Sequence, residues 1–398
     1  MELSEDAKVL LEVTEAALAV GRDEGRREAA EFQQKILALL RDRRLAELVN
    51  ASLARASAIA SARLAVLCGA VMVVYWPGLL AAAVVPRWGA LAIGLPLTSR
   101  LDPRALCRPV AWLLIGGWTW ALLSIATAPD RLGATQTLFF LTLFSIAFIA
   151  AAACDNFDRV MTGFAVGLSV SSALCVAQLA GWNWPFANSM PSGLFFNRSV
   201  MAELAAPIAV WAAVSKRWLW VVVALFPVAV CDSRAADLML ALGLLYGWRA
   251  PWKPKAIVAL ALAGLSIAAI LWLSPGKYES AILRFRIWEL AAFNILPFGR
   301  GLGWFQATFP NLAMAHSDML EMAVELGIGA LFWFAIPVLI FWKGSRDERP
   351  ARATLVACCV GMLVSFPLHS PANGLLVAVV AGFLSGRGRL VWLGHGFS

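Results

Sequence analysis

The sequence predicts an all-α polytopic membrane protein with about twelve transmembrane helices, and three observations predict it. Of 398 residues, 61% are hydrophobic and only 15% charged, where a soluble domain carries roughly 25% charged residues. Apolar stretches recur from Leu64 almost to the C-terminus, near the roughly 20 residues that cross a hydrocarbon core about 30 Å thick. The basic residues between them segregate into alternate short connectors, as the positive-inside rule requires. A soluble multidomain protein is excluded.

Residues 1–62 precede the first apolar run. Residues 1–63 hold ten Lys/Arg against eleven Asp/Glu, so the positive excess of the chain lies wholly in the remainder. Val9, Val13, Ala17 and Val20 follow helical spacing, as do Phe32, Ile36 and Leu39, with Gly21 to Gly25 as a break. Balanced charge suits a cytoplasmic helical extension or small coiled coil rather than a basic membrane-surface helix. A charged N-terminus of this kind is not a signal peptide.

The transmembrane part, residues 63–398, begins with an apolar block from Leu64 to Leu97. Pro77-Gly78 and Pro86-Arg87 interrupt it, so it is read as two short spans. Further spans are expected at 109–127, 132–153, 160–180, 199–214, 217–231, 235–249, 256–273, 318–342, 353–368 and 371–385. With both termini inside, fifteen basic residues fall in inside connectors, among them Arg159, Arg217, Arg249, Arg349 and Arg387. Eight fall outside: Arg87, Arg131, Arg198, Arg234, Lys277, Arg284, Arg286 and Arg300. An eleven-span count would invert the later loops against the rule.

Two outside connectors exceed turns. One runs from Gly181 to Arg198. The other, Ser274 to Ser317, reads as a long periplasmic loop, and loops beyond roughly 15 residues are usually functional or disordered. The seven cysteines form no CxxC and no metal-ligand spacing, so neither a metal, a cofactor nor a structural disulfide is expected. No basic stripe with interleaved aromatics suggests a nucleic-acid partner. Trp is abundant at 18, as interfacial belts require.

Arg234, Arg284, Arg286 and His316 converge on the outside face from distant segments. Cations on the side that should be poor in them point to an anionic ligand, since guanidinium forks bind phosphate oxygens in pairs. Here the motifs resemble a family. Ser233-Arg234-Ala235-Ala236 resembles the Ser-Arg-Gly/Ala-Ala element of O-antigen ligases and polymerases, a superfamily of bacterial polytopic membrane proteins. Arg284-Phe-Arg-Ile-Trp288 is similar to their Arg-x-x-Ile-Trp box, and Pro297 to Phe305 resembles the glycine-rich turn that follows it. His316-Ser-Asp-Met-Leu320 with Glu325-Leu-Gly327-Ile-Gly329 resembles the His-Asn-x-x-Leu…Glu-x-Gly-x-x-Gly signature. Gly193 to Ser199 and Phe366 to Pro371 are similar to two weaker elements. Order and spacing match over roughly residues 100–385, with Ser199 and Ser317 where the family usually has Asn.

The resemblance implies a GT-C-like fold in the bacterial inner membrane, acting at the periplasmic face without a metal. It implies transfer or polymerisation of undecaprenyl-pyrophosphate-linked glycan, with a glycan, lipid A-core or protein as acceptor. On this reading Arg234 and Arg284 hold the pyrophosphate, and Arg286, Asn197 and Glu325 are further substrate-binding candidates. His316 is the general base, kept neutral by the helix that begins beside it, and Asp318 is a second candidate base.

Plainer readings stand beside these. His316 could bond a loop carbonyl, and Asp318 with Glu321 has the form of a capping box. Arg234 could snorkel from a span end, and Arg286 could be solvated or face lipid headgroups. Glu203, Asp237 and Glu325 are carboxylates within spans, where such groups are seldom idle. His369 reads as structural and His395 as solvated. Gly299, Gly301 and Gly303 make a turn rather than a phosphate loop, because neither a strand nor a following Lys-Ser/Thr flanks them. A transporter or flippase is the competing class, but no internal repeat is evident. Ligase, repeat-unit polymerase and protein O-oligosaccharyltransferase share the same boxes.

Overall fold

The computed structural model describes residues 43–75, 84–98, 106, 108–182, 191–249, 275–309, 315–343 and 348–394. The helical repeats expected in residues 1–42, the span expected at 256–273, Cys107 and His395 lie outside the described residues. Two compact units emerge, Met1–Ile59 and Ala60–Ser398. In the first, the described residues are helical.

Among the described residues every extended element is a helix. In chain order they are α1 (Arg43–Val73), α2 (Val85–Thr98), α3 (Arg108–Ser124), α4 (Arg131–Ala152), α5 (Phe157–Leu179), α6 (Arg198–Val214) and α7 (Trp218–Val230). There follow α8 (Arg234–Gly247), α9 (Pro275–Phe293), α10 (Trp304–Thr308), α11 (Asp318–Leu326), α12 (Ala330–Lys343), α13 (Arg349–Val364) and α14 (Pro371–Gly394). The first apolar block does divide in two, as α1 and α2. Among the described residues, five stretches are long and apolar enough to cross a membrane: Arg55–Val73, Pro109–Thr127, Arg131–Ala152, Phe157–Leu179 and Asp318–Trp342. The protein is a helical, multi-pass membrane protein.

Short polar residues set the helix starts. Asp130 accepts the Leu132 N–H at 3.0 Å, Asn156 that of Arg159 at 2.9 Å and Asn197 that of Ser199 at 2.8 Å. Each satisfies one of the amides that the first turn leaves without an intrahelical partner. Close packing then follows from small residues. A Cβ at Gly163 on α5 would lie 2.0 Å from the Ala65 carbonyl oxygen on α1, and one at Gly382 on α14 would lie 2.1 Å from that of Phe148 on α4. Backbone approaches of this kind favour association where lipid removes the hydrophobic drive between helices. At the centre lies α6, buried from Val200 through Ala212 and packed among α7, α8 and α13.

Connectors distant in sequence meet at the bundle ends. At one end Arg217 pairs with Asp158 at 3.0 Å, Arg349 donates to the Trp248 carbonyl at 2.7 Å and Arg387 pairs with Glu348 at 3.3 Å. These arginines are all from the set assigned inside. At the other end lie the starts of α6, α8 and α11. Large apolar side chains such as Leu132, Trp218 and Trp342 stay exposed on the bundle, which hydrocarbon rather than water would solvate.

Within the connector expected at residues 274–317, α9 and α10 are helical. Proline opens α9, where its missing N–H costs nothing. Ile287 and Ala291, one turn apart, are buried with Phe305, Ala315 and Val324 in a small apolar cluster of their own. The amphipathic α9 therefore lies against α11 as a surface helix.

Candidate functional site

The site is built where α11 starts. Ser317 caps this helix, its hydroxyl accepting the Leu320 N–H at 3.3 Å. The expected Asp318–Glu321 capping box is thus corrected: the cap falls one residue earlier, which frees both carboxylates for other partners. Along α11 Asp318, Glu321 and Glu325 occupy positions i, i+3 and i+7, one face of the helix, and all three are buried.

Each carboxylate has its own partners. Asp318 accepts the Leu368 N–H at 2.8 Å and lies 3.6 Å from His369 Nε2. Glu321 Oε1 accepts the Gln306 amide at 3.0 Å and lies 3.2 Å from His369 Nε2. Its Oε2 accepts the Ala315 N–H at 3.0 Å. Glu325 accepts the Phe305 N–H at 3.3 Å. A cavity of about 200 Å³ opens on this cluster, lined by Gln136, Thr137, Gln306, Asp318, Glu321, Glu325 and His369. An apolar cavity of about 100 Å³ adjoins it through shared walls at Leu141, Phe144, Met322 and Leu368. Burial works against a charged imidazole at His369, but Glu321, Asp318 and Glu325 outweigh it and hold the ring's pKa up at about 9.

His316 sits just before the helix in the left-handed region, at φ 54°. Few residues other than glycine adopt it. Its ring meets Phe366 edge-on at 5.3 Å, and Phe366 meets His369 at 6.2 Å on its other side. His316 Nδ1 is buried without a hydrogen-bond partner. Burial lowers its pKa, the Arg284 guanidinium lowers it further, and Glu321 partly opposes them. Burial and the Arg284 guanidinium thus both disfavour the protonated imidazole.

Arg284 lies on α9, half-buried, and acts on the Glu203 carboxylate of α6 as well as on His316. Glu203 is buried and accepts the Ser365 hydroxyl at 2.7 Å. The Ser365 carbonyl in turn accepts the Asp318 N–H at 3.1 Å. One junction thus joins α6, the end of α13 and the His316 segment.

The remaining candidates are placed differently. Arg234 is half-buried in the first turn of α8, beside Ser233, whose hydroxyl caps that helix. Arg286 is exposed, two residues along α9 from Arg284 and so on another face of the helix. Asn197 caps α6. Glu325 tethers the glycine turn: its carbonyl accepts the Gly301 N–H at 2.9 Å, beside an Arg300 N–H to the Val324 carbonyl at 2.9 Å. These bonds satisfy the last carbonyls of α11, which a helix end leaves free. Gly301 needs its lack of a side chain, having φ 94° and space for a Cβ only 2.6 Å from the Ala128 backbone. The glycines make the expected turn.

Glu321, Gln306 and His369 are the cluster members that sequence reasoning did not select. The three-and-four spacing of acids along α11 was the available signal. Fold and cluster together define a multi-helix membrane protein with a buried polar site at one end of its bundle. No family model matches the sequence, and no curated protein matches it.

Proposed function

We propose that this protein transfers or polymerises lipid-linked glycans, moving a glycan from a polyprenyl pyrophosphate to an acceptor hydroxyl in the manner of O-antigen ligases. The observation that carries this reading is the partly buried His316 ring at the start of α11, with Nδ1 buried and without a hydrogen-bond partner, within the field of Arg284 on α9. A cation next to a base is what the reaction needs. The acceptor oxygen forms a bond to the anomeric carbon as the bond from that carbon to the pyrophosphate oxygen breaks. The electron pair leaves with the pyrophosphate, whose growing charge falls to Arg284, with Arg234 as the second cation. The acceptor proton passes to His316 through Nε2, since Nδ1 is buried. The resemblance of the arginine–tryptophan and histidine boxes supports the same assignment, together with a GT-C-like architecture of twelve spans and a periplasmic active face.

The test uses purified protein in detergent, undecaprenyl-pyrophosphate-linked oligosaccharide, an acceptor glycan or lipid A-core, and a metal chelator. The reading expects glycosylated acceptor and free undecaprenyl pyrophosphate in equal amounts. Movement of the intact lipid-linked glycan across vesicles, with neither product formed, would make the protein a transporter instead.

A further inference from the structure

The backbone around His316 is under strain. A residue other than glycine persists in the left-handed region only where its surroundings over-determine it. Two bonds bracket His316 at φ 54°. On the C-terminal side the Asp318 N–H is held by the Ser365 carbonyl at 3.1 Å. On the N-terminal side the Ala315 N–H is held by Glu321 Oε2 at 3.0 Å. Ala315 itself is fully buried, so this amide has no water to turn to and losing its acceptor would leave it orphaned.

The other oxygen of Glu321 is fixed from behind. Gln306 donates to Oε1 at 3.0 Å, and His369 Nε2 lies 3.2 Å from the same atom. One carboxylate therefore connects α10, the turn before α14 and the residue preceding His316. It also supplies the negative charge that opposes Arg284 at the His316 ring. The charged groups around this segment are Arg284 on α9, Glu203 on α6, Asp318, Glu321 and Glu325 on α11, and His369 on the turn before α14. Glu321 alone among them bonds the backbone next to His316.

We propose that Glu321, braced by Gln306 and His369, is a positioning residue that fixes the backbone and the electrostatic setting of His316. This rests on the reading of His316 as the base and deepens it. Glu321 touches no reacting atom. Its contribution is to hold the imidazole in one place and to keep its basicity from falling further under Arg284.

Two substitutions separate the parts of this role. Glu321→Gln keeps an oxygen for the Ala315 N–H and removes the charge. Glu321→Ala removes both. Two readouts apply to each: the acid limb of the transfer rate against pH, and the ring titration of His316 by nuclear magnetic resonance, which is tractable because the chain has three histidines. Glu321→Gln is expected to move both the acid limb and the His316 titration to lower pH, with an unchanged KM for the donor. Glu321→Ala is expected to lower kcat by about 10²-fold, the scale of a misplaced catalytic group, again without a KM change. A merely structural carboxylate would reduce folded protein and leave the acid limb where it is. An unmoved His316 titration in folded Glu321→Gln overturns the proposal, whatever becomes of the alanine variant. Failure of the underlying reading looks different: His316→Ala would then transfer glycan at the wild-type rate while the titration still responds to Glu321.

Discussion

Glu203 accepts a 2.7 Å hydrogen bond from Ser365, a residue 162 positions away on another helix end. Both groups are buried, and the Ser365 carbonyl holds the Asp318 amide. The bond thus fixes α6 against the segment that carries His316. Glu203→Ala is expected to lower stability by about 1–3 kcal/mol, the cost of an orphaned buried hydroxyl. Glu203→Gln, which can still accept from Ser365, should lose less. Thermal unfolding of the three proteins in one detergent reads the order; equal midpoints for alanine and glutamine would remove this bond from the account.

Arg284→Lys should impair glycan transfer nearly as much as Arg284→Ala. Lysine keeps the charge but loses the paired, planar donors that match two phosphate oxygens. Near-normal transfer by Arg284→Lys would mean that the arginine supplies only a field.

The pKa of His369 bears on stability with a definite sign. Its folded value is raised to about 9, above the ordinary value of about 6.5 that an unfolded chain would show. Its protonated form therefore contributes stability that is fully present below pH of about 6.5 and is lost as pH rises through about 9. Thermal midpoints between pH 6 and 10 should fall in the wild type by more than in His369→Gln. Parallel curves for the two proteins would show that the carboxylate cluster does not draw on the charged ring.

Sidedness is tested in the glycine turn. Phe298 is 76% exposed, so Phe298→Cys in a background without the seven natural cysteines offers a reachable thiol. Labelling from outside intact cells is expected. Labelling only after the inner membrane is opened would place the turn on the cytoplasmic side and the proposed chemistry with it.

Much of the bundle was legible because hydrocarbon imposes a length and a polarity on every span, and both are properties of one segment. The split of the first block at its prolines was readable for the same reason. The surface helix α9 was not, because Lys277, Glu279, Arg284, Arg286 and Glu289 hide a narrow apolar stripe whose partner, Val324, lies on α11. His316 and Arg284 could be singled out by their motifs. The pairing of Glu321 with His369 could not, since it exists only once the turn before α14 folds onto α11. Asp318 and Glu321 looked like a cap because the sequence places acids at a helix start; the true cap, Ser317, is one position earlier.

The most direct test of the proposed reaction is the turnover of His316→Ala per folded, detergent-purified molecule. Loss of a general base should lower kcat by roughly 10²–10⁴-fold, while donor binding, assigned to the arginines, stays near that of the wild type. The wild-type rate should fall toward acid with an apparent pKa below the ordinary histidine value, because burial and Arg284 disfavour the protonated ring. Wild-type turnover in His316→Ala, with less protein recovered from the membrane, would contradict the account and leave His316 a strained structural residue.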